Sequence, residues 1–203
     1  MSEKKFRYSP DHTFFTSDTH FGHANIIRLC KRPFENVKEM NEVLIENWNK
    51  VVSDDDTVFH LGDFALGGSN VWKEIIPRLK GYINLIIGNH DRKNLRKGYM
   101  SFFDMVVPQL QIEIEDISIY LNHYPFLCYG GSYIGVWQLF GHLHLSPDSI
   151  GLDNERTKIC FPCQYDVGVD LNNFTPISYN QVKEKIKYQK DNNTNVYHWL
   201  NPS

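Results

Sequence analysis

Three stretches of the chain share one design, a short run of apolar, β-prone residues that ends in polar ones. They are 13–18 (TFFTSD), 57–63 (TVFHLGD) and 83–91 (INLIIGNHD). Each predicts a strand that delivers polar side chains at its C-terminal end. Between them the apolar period changes to three and four. Val37, Met40, Leu44, Trp48 and Val51 fall on one helical face, and a second helical pattern covers about 70–79 before Gly81. Strands alternating with helices argue for a sheet covered by helices.

After about residue 104 the pattern turns to consecutive strands. They are 105–114, then 117–122, where Ile117, Ile119 and Leu121 alternate, with a turn near Glu115 and Asp116 between them. This predicts a second sheet of mainly antiparallel strands. The remaining strand candidates are 136–140 (VWQLF) and 165–169 (YDVGV), and Ser178 with Gln181 three residues on reads as a capping box. It opens a last helix with Tyr179, Val182 and Ile186 on its apolar side. The expected fold is α/β (α+β), a four-layer αββα sandwich of two packed mixed sheets flanked by helices. One domain over 13–189 accounts for these elements, and the polar, aperiodic stretches 1–12 and 190–203 read as tails.

Composition narrows the function classes. The 203 residues carry 21 Lys+Arg against 24 Asp+Glu, a formal charge of −3, which excludes a polycationic nucleic-acid coat. With 41% apolar and 14% aromatic residues the chain can build a real core. No apolar run approaches the roughly 20 residues of a membrane helix, and the lysines near the N-terminus have no apolar stretch behind them. The expectation is a soluble cytoplasmic protein without a membrane partner. Four cysteines in such a chain do not make a disulfide framework. Histidine is the unusual count, at nine.

The polar residues that follow the apolar runs are Asp18 and His20, Asp63, Asn89 with His90 and Asp91, His123, and His142 with His144. All are oxygen or imidazole donors, with no thiolate among them. Such a set suits a pair of divalent ions, and it holds more donors than one ion can use. In D-x-H and H-x-H the two donors of an extended segment point the same way, so one strand end can serve one cluster.

The order D-x-H, G-D, G-N-H-D, N-H, G-H-x-H resembles the calcineurin-like metallophosphoesterase superfamily. Asp18-Thr19-His20, Gly62-Asp63, Gly88-Asn89-His90-Asp91, Asn122-His123 and Gly141-His142-Leu143-His144 fill each motif in that order, over about residues 13–170. The stretch SDTHFGHANI looks like the compact bacterial and phage branch of small phosphoesterases. The resemblance implies that Asp18, His20 and His144 hold one metal, that Asn89, His123 and His142 hold a second, and that Asp63 bridges them. It implies two divalent transition-metal ions, manganese first, with Fe, Ni, Co or Zn as alternatives. It further implies attack on a phosphate ester by a hydroxide bridging the metals, with His90 protonating the leaving oxygen.

The match has one gap. Many relatives carry a second Asp in G-D-x-x-D-x-G, where this chain reads Gly62-Asp63-Phe64-Ala65-Leu66-Gly67-Gly68. In the Ser/Thr protein phosphatases that Asp helps orient the catalytic His, so protein-phosphatase activity is not expected here, and Asp91 or a backbone carbonyl is the candidate orienter of His90. His23 and Arg92 are the candidate substrate contacts. His60 inside a strand and His12 and His198 in the tails read as ordinary structural residues. Cys160 and Cys163 read as free thiols in a loop. Tyr124, Phe126, Tyr129, Tyr133 and Trp137 read mostly as core, with a ring over the cleft able to stack on a nucleobase.

The function expected first is hydrolysis of a small or nucleotide-like phosphate ester. A nuclease or nucleic-acid phosphodiesterase is the alternative, which the absence of a basic surplus weakens. A non-catalytic metal-binding scaffold is the third reading, and the filled His90 and ligand positions speak against it.

Overall fold

The N-terminal stretch that reads as a tail opens with a strand, β1 (Phe6–Tyr8), which pairs in parallel register with residues 112–114. This corrects the reading of 6–12 as unattached. The computed structural model describes residues 6–96, 98–146 and 155–199, so the outer parts of both tails, 1–5 and 200–203, lie outside the described residues. The three apolar runs become β2 (Thr13–Thr16), β3 (Thr57–His60) and β4 (Tyr82–Ile86). The helices between them are α1 (Ala24–Leu29), α2 (Val37–Val51) and α3 (Ser69–Ile75), and the short α4 (Arg92–Leu95) follows β4.

The expected strand 105–114 is two strands, β5 (Met105–Val107) and β6 (Gln109–Ile114), split at Pro108. Proline cannot donate to a central ladder, and here it marks where the chain leaves one sheet for the other. Then come β7 (Ile117–Asn122), β8 (Trp137–Phe140), β9 (Gln164–Asp166), β10 (Ile177–Ser178) and α5 (Tyr179–Asp191). The predicted capping box at Ser178 and Gln181 is formed in both directions. Among the described residues, two mixed sheets result, in the orders β10-β2-β3-β4-β5 and β1-β6-β7-β8-β9.

The second sheet is not mainly antiparallel. Only β6 and β7 run antiparallel, around a turn in which Glu115 has φ 53°. The pairs β1–β6, β7–β8 and β8–β9 are parallel. The segments 123–136 and 141–163 are long enough to carry the chain back across the sheet, so successive strands point the same way. Consequently β2, β3 and β4 of one sheet and β7, β8 and β9 of the other end at loops that converge.

Alternation along the central strands sorts the core. Phe15, Phe59, Leu61 and Ile86 face the other sheet, where Ile112, Ile119, Leu121 and Leu139 meet them. Val58, Ile83 and Leu85 face the helices and pack with Met40, Leu44, Trp48 and Trp72. Helix α2 is fixed at its start by Asn36, whose side chain accepts from the amides of Lys38 and Glu39, and is held along its length by Trp48, whose indole N–H donates to the Lys80 carbonyl. At the other flank α5 sends Tyr179, Val182 and Ile186 into the core between the sheets. Beyond it Val196 is buried and Trp199 donates to Gln189, so the described part of the C-terminal stretch is packed too. Among the described residues no helix is long and apolar enough to cross a membrane.

His60 shows how closely this scaffold is wired. Its Nδ1 accepts from the Gly62 amide, and its Nε2 meets Thr19 Oγ1, which itself donates to the Phe64 carbonyl. The chain of donors closes only with a neutral imidazole protonated on Nε2. Burial accordingly pushes its pKa down to about 3. The unfolded chain takes up this proton below about pH 6.5 and the folded one only near pH 3, so His60 removes stability as pH falls through that window and adds no slope above it. In urea titrations between pH 7 and 3, His60→Gln should reduce the pH slope of unfolding free energy relative to the native chain, whatever its stability at neutral pH.

Candidate metal centre at the converging strand ends

The chain does not stop pairing where the strands end. The Asp18 amide donates to the Gly62 carbonyl, the His20 amide to Asp63 and the Phe21 amide to Phe64, so the segment after β2 stays laced to the segment after β3. Asp18, His20, Asp63, His142 and His144 all have positive φ, between 49° and 72°. These conformations cost non-glycine residues on the order of 1–3 kcal/mol each. The D-x-H and H-x-H pairs therefore do not converge by extended alternation; left-handed turns aim them. Glycines make the room: a Cβ on Gly88 would collide with Asp63, and one on Gly141 with Ser17 and Asp18.

Two donor sets result. Asp18, His20 and His144 present ligand atoms within 4.8 Å of one another, and so do Asp63, His123 and His142. Asp63 faces both: its Oδ2 lies 3.5 Å from His20 Nε2 and 3.6 Å from His123 Nε2, while Oδ1 accepts the His90 amide. Asn89 joins the second set, with Oδ1 3.1 Å from His123 Nε2. Thus all seven residues expected to be ligands come together.

The residues fit divalent cations on the structure's own terms. Asp18 Oδ1 and His20 Nε2 are buried with no hydrogen-bond partner among the described residues. A buried carboxylate oxygen beside an unmatched ring nitrogen is costly unless a cation sits between them. His123 reaches the Leu61 carbonyl through Nδ1, 2.7 Å away, and a bond to that acceptor requires the proton on Nδ1. Its Nε2 lone pair then faces the oxygens of Asn89 and Asp63.

Burial, with neighbouring imidazoles, lowers the pKa of His20 well below the usual value and also lowers those of His142 and His23. Lowered values favour the neutral ring that His20 and His142 need in order to act as ligands. His144 is different. Burial opposes its charge, but the Asp170 hydrogen bond and the nearby Asp18 outweigh it and hold the pKa up to about 11. A proton and a cation compete for its Nε2.

Two residues that the sequence does not betray organise this site. Asp170 accepts from His144 Nδ1 at 2.9 Å and takes the Arg32 fork through both oxygens at 2.8 Å. Arg32 also donates to the carbonyls of Asp18 and Thr19. The guanidinium thus ties both strands of one donor set to its supporting carboxylate from inside the protein, across 138 positions of sequence. Cys30 stands close enough to complete a third group with His144 and Asp170, although the Arg32 charge on Asp170 disfavours a cation there.

The other predicted residues are placed as follows. Asp91 does not orient the His90 ring: its carboxylate accepts the amides of Asp63, Phe64 and Gly88, and among the described residues no hydrogen bond joins it to His90. It shapes the loop that presents Asp63, and burial raises its pKa to about 6. The His90 ring is 43% exposed, with Nε2 3.8 Å from Asp63 Oδ2. His23 lies beside His20, Nδ1 to Nδ1 at 3.2 Å, so it can fix that ring's tautomer as well as face the cleft. Arg92 lines a cavity beside the second set, together with Tyr124. His12 bonds Asp56, and His198 packs on Tyr188 and Trp199, so both are structural, as is His60. All four cysteines are free.

The family model for calcineurin-like phosphoesterases matches residues 12–197. The chain belongs to that family. It is 36% identical to an uncharacterized protein of Methanocaldococcus jannaschii over 180 residues, 87% of this chain and 92% of the relative. It is 28% identical to the Gene 66 protein of Mycobacterium phage L5 over 133 residues, 57% of this chain and 64% of that protein. Among solved structures it resembles a protein of unknown function from Aquifex aeolicus, with a TM-score of 0.65, 27% identity, and 85% of this chain and 97% of that one covered. The family is one of metal-dependent phosphoester hydrolases, and the donor sets described above are where this member would hold its metal.

Removing the support for His144 isolates the contribution of Asp170. Calorimetric titration with manganese should show Asp170→Asn losing roughly 10–100-fold in affinity at one of the donor sets while the other is unchanged, with thermal unfolding confirming that the variant is folded.

Proposed function

We propose that the protein hydrolyses a small or nucleotide-like phosphate ester with two divalent transition-metal ions, manganese the first choice. Asp18, His20 and His144 would hold one ion, Asn89, His123 and His142 the other, and Asp63 would serve both. The observation that carries this reading is Asp63 Oδ2, within 3.6 Å of ring nitrogens from both donor sets. When bound, such a pair of ions supplies Lewis acidity toward a phosphoryl oxygen and toward the attacking water.

The chain's own residues do the rest. His90 is exposed to the cleft, anchored through its backbone to Asp63 and held by no side-chain hydrogen bond among the described residues. In hydrolysis the water oxygen joins phosphorus and sheds a proton to solvent, the bond from phosphorus to the leaving oxygen breaks, and His90 gives that oxygen a proton and regains one from solvent. His23, beside His20 and half-buried, is a second polar group facing the same space. Buried Asp18 and Asp63 exclude a phosphate from the site until cations offset them, which couples substrate binding to metal loading.

The direct test is a panel of model mono-, di- and cyclic phosphate esters assayed with added manganese, with metal content measured in parallel. Turnover that disappears on chelation and two ions per chain are expected. Saturation at one ion, or turnover indifferent to chelation, would rule the reading out. Asp63→Asn should weaken both ions together, whereas His20→Ala should weaken chiefly one.

His90 has its own signature. Its loss should slow esters of alkyl or sugar alcohols by roughly 10²–10⁴-fold, the usual value of positioned proton transfer, and leave metal content nearly intact. Esters of p-nitrophenol, whose leaving group departs unprotonated, should lose little. An equal loss on both kinds of ester would instead assign His90 to phosphate charge.

A further inference from the structure

Two cavities flank the donor sets, and Tyr124 lines both. On one side Ile87, Arg92, Leu95, Arg96, Asn122 and Tyr124 border a cavity of about 530 Å³. On the other, Tyr124, Phe126, Leu127, His142, Leu143 and Ile159 border one of about 590 Å³. Tyr124 is a partition tied to the site itself. Its ring packs edge-on against His142 at 4.7 Å and His123 at 4.9 Å, and its hydroxyl lies 3.4 Å from Asn89 Oδ1. Each cavity therefore adjoins the same donor set, one through Asn122 next to His123 and the other through His142.

The two spaces ask for different chemistry. Arg92 and Arg96 stand one helical turn apart, both exposed, and among the described residues neither guanidinium has an ion-pair partner. Paired forks around one cavity match the oxygens of a phosphate. The opposite space is lined by aromatic and aliphatic groups, with Leu127 73% and Ile159 63% exposed and Arg156 the one fixed charge of its described lining. Large apolar side chains left open beside a polar centre, around a space with ample room for a ring system, match a planar base.

Resting on the phosphoesterase reading, we propose that the substrate is a nucleotide phosphodiester that carries a further phosphate. The scissile phosphate lies at the donor sets, the base lies in the cavity of Tyr124, Leu127 and Ile159, and the further phosphate lies between Arg92 and Arg96. Tyr124, Leu127, Arg92 and Arg96 are then specificity residues, distinct from those that hold metal. Hydrolysis takes one water per diester bond and leaves the further phosphate untouched, so no other reactant is needed.

The test separates this inference from the reading beneath it. Adenosine 5′-monophosphate and adenosine 3′,5′-bisphosphate, neither of which carries a diester bond, are titrated calorimetrically into the manganese-loaded full chain, so that binding is read without the proposed hydrolysis. The bisphosphate should bind at least tenfold tighter, and Arg92→Ala/Arg96→Ala should erase that advantage while leaving the monophosphate unchanged. Leu127→Asp should weaken both ligands by similar factors of about ten. A bisphosphate advantage that survives loss of both arginines, or monophosphate binding indifferent to Leu127→Asp, overturns the inference. Hydrolysis of bis(p-nitrophenyl) phosphate by the manganese-loaded native chain is measured in parallel. No turnover there or of p-nitrophenyl phosphate defeats the phosphoesterase reading; turnover of the monoester alone, or turnover with equal binding of the two adenine nucleotides, defeats only the inference.

Discussion

Negative charge held out of water is the constraint from which the site is built. Asp18, Asp63, Asp91 and Asp166 are at most 1% exposed, and the Asp170 side chain is nearly as buried. Each such carboxylate costs several kcal/mol to desolvate, and the chain meets each cost differently. Asp91 takes three backbone amides. Asp18 takes the Ser17 hydroxyl and the His142 amide, which reaches it from the other sheet. Asp166 has one amide, from Gly168, and burial beside Asp18 raises its pKa well above its ordinary value. Burial would raise Asp170 as well, but the Arg32 guanidinium and the His144 bond outweigh it and hold it below its ordinary value. Among the described residues Asp18 Oδ1 and Asp166 Oδ2 stay unmatched, and the imidazoles gather around the first.

The left-handed backbone at Asp18, His20, Asp63, His142 and His144 belongs to the same account. Five strained residues in the ligand set are tolerable only where the surroundings over-determine them. Here the lacing of amides from one strand end to the next supplies that determination, together with glycines that admit neighbouring side chains. Parallel strands are what bring the ends together at all. Had the second sheet been a meander of antiparallel hairpins, the residues after β7 and β8 would have emerged at opposite edges, and His123 and His142 could not share a set.

How much of this could be read beforehand follows from the range of the interactions involved. Strand ends that carry their own polar residues are local patterns, so the seven donor residues that gather at the centre, His90 beside them and the capping box at Ser178 are legible in the sequence. Strand direction in the second sheet was not, because it depends on long connections whose path leaves no periodic trace. Pro108 is visible, but the β-prone stretch 105–114 around it reads as one strand. The tail reading failed at β1 because three residues with little burial of their own gain a ladder only from β6, a hundred positions away. Arg32 and Asp170 carry no local signature: an Arg in a loop and an Asp after a strand read as solvated until the fold places them in contact.

The two donor sets differ in a way that bears on where chemistry enters. Asp18 and His20 are fully buried, and His144 is braced by Asp170 and Arg32, so that set is rigid and closed. The second set is open. Asn89 is exposed, His142 is half-buried, and Tyr124, itself 39% exposed, packs on His142 and reaches Asn89. A ligand reaching the centre therefore meets Asn89, His142, His90 and Tyr124 before it meets Asp18. The exposed arginines and apolar side chains that border the two cavities lie on this open side, so residues selecting a substrate can change without disturbing the charge balance of the buried side. That separation between a fixed electrostatic floor and an adjustable rim accounts for a family motif that is legible in sequence while the substrate is not.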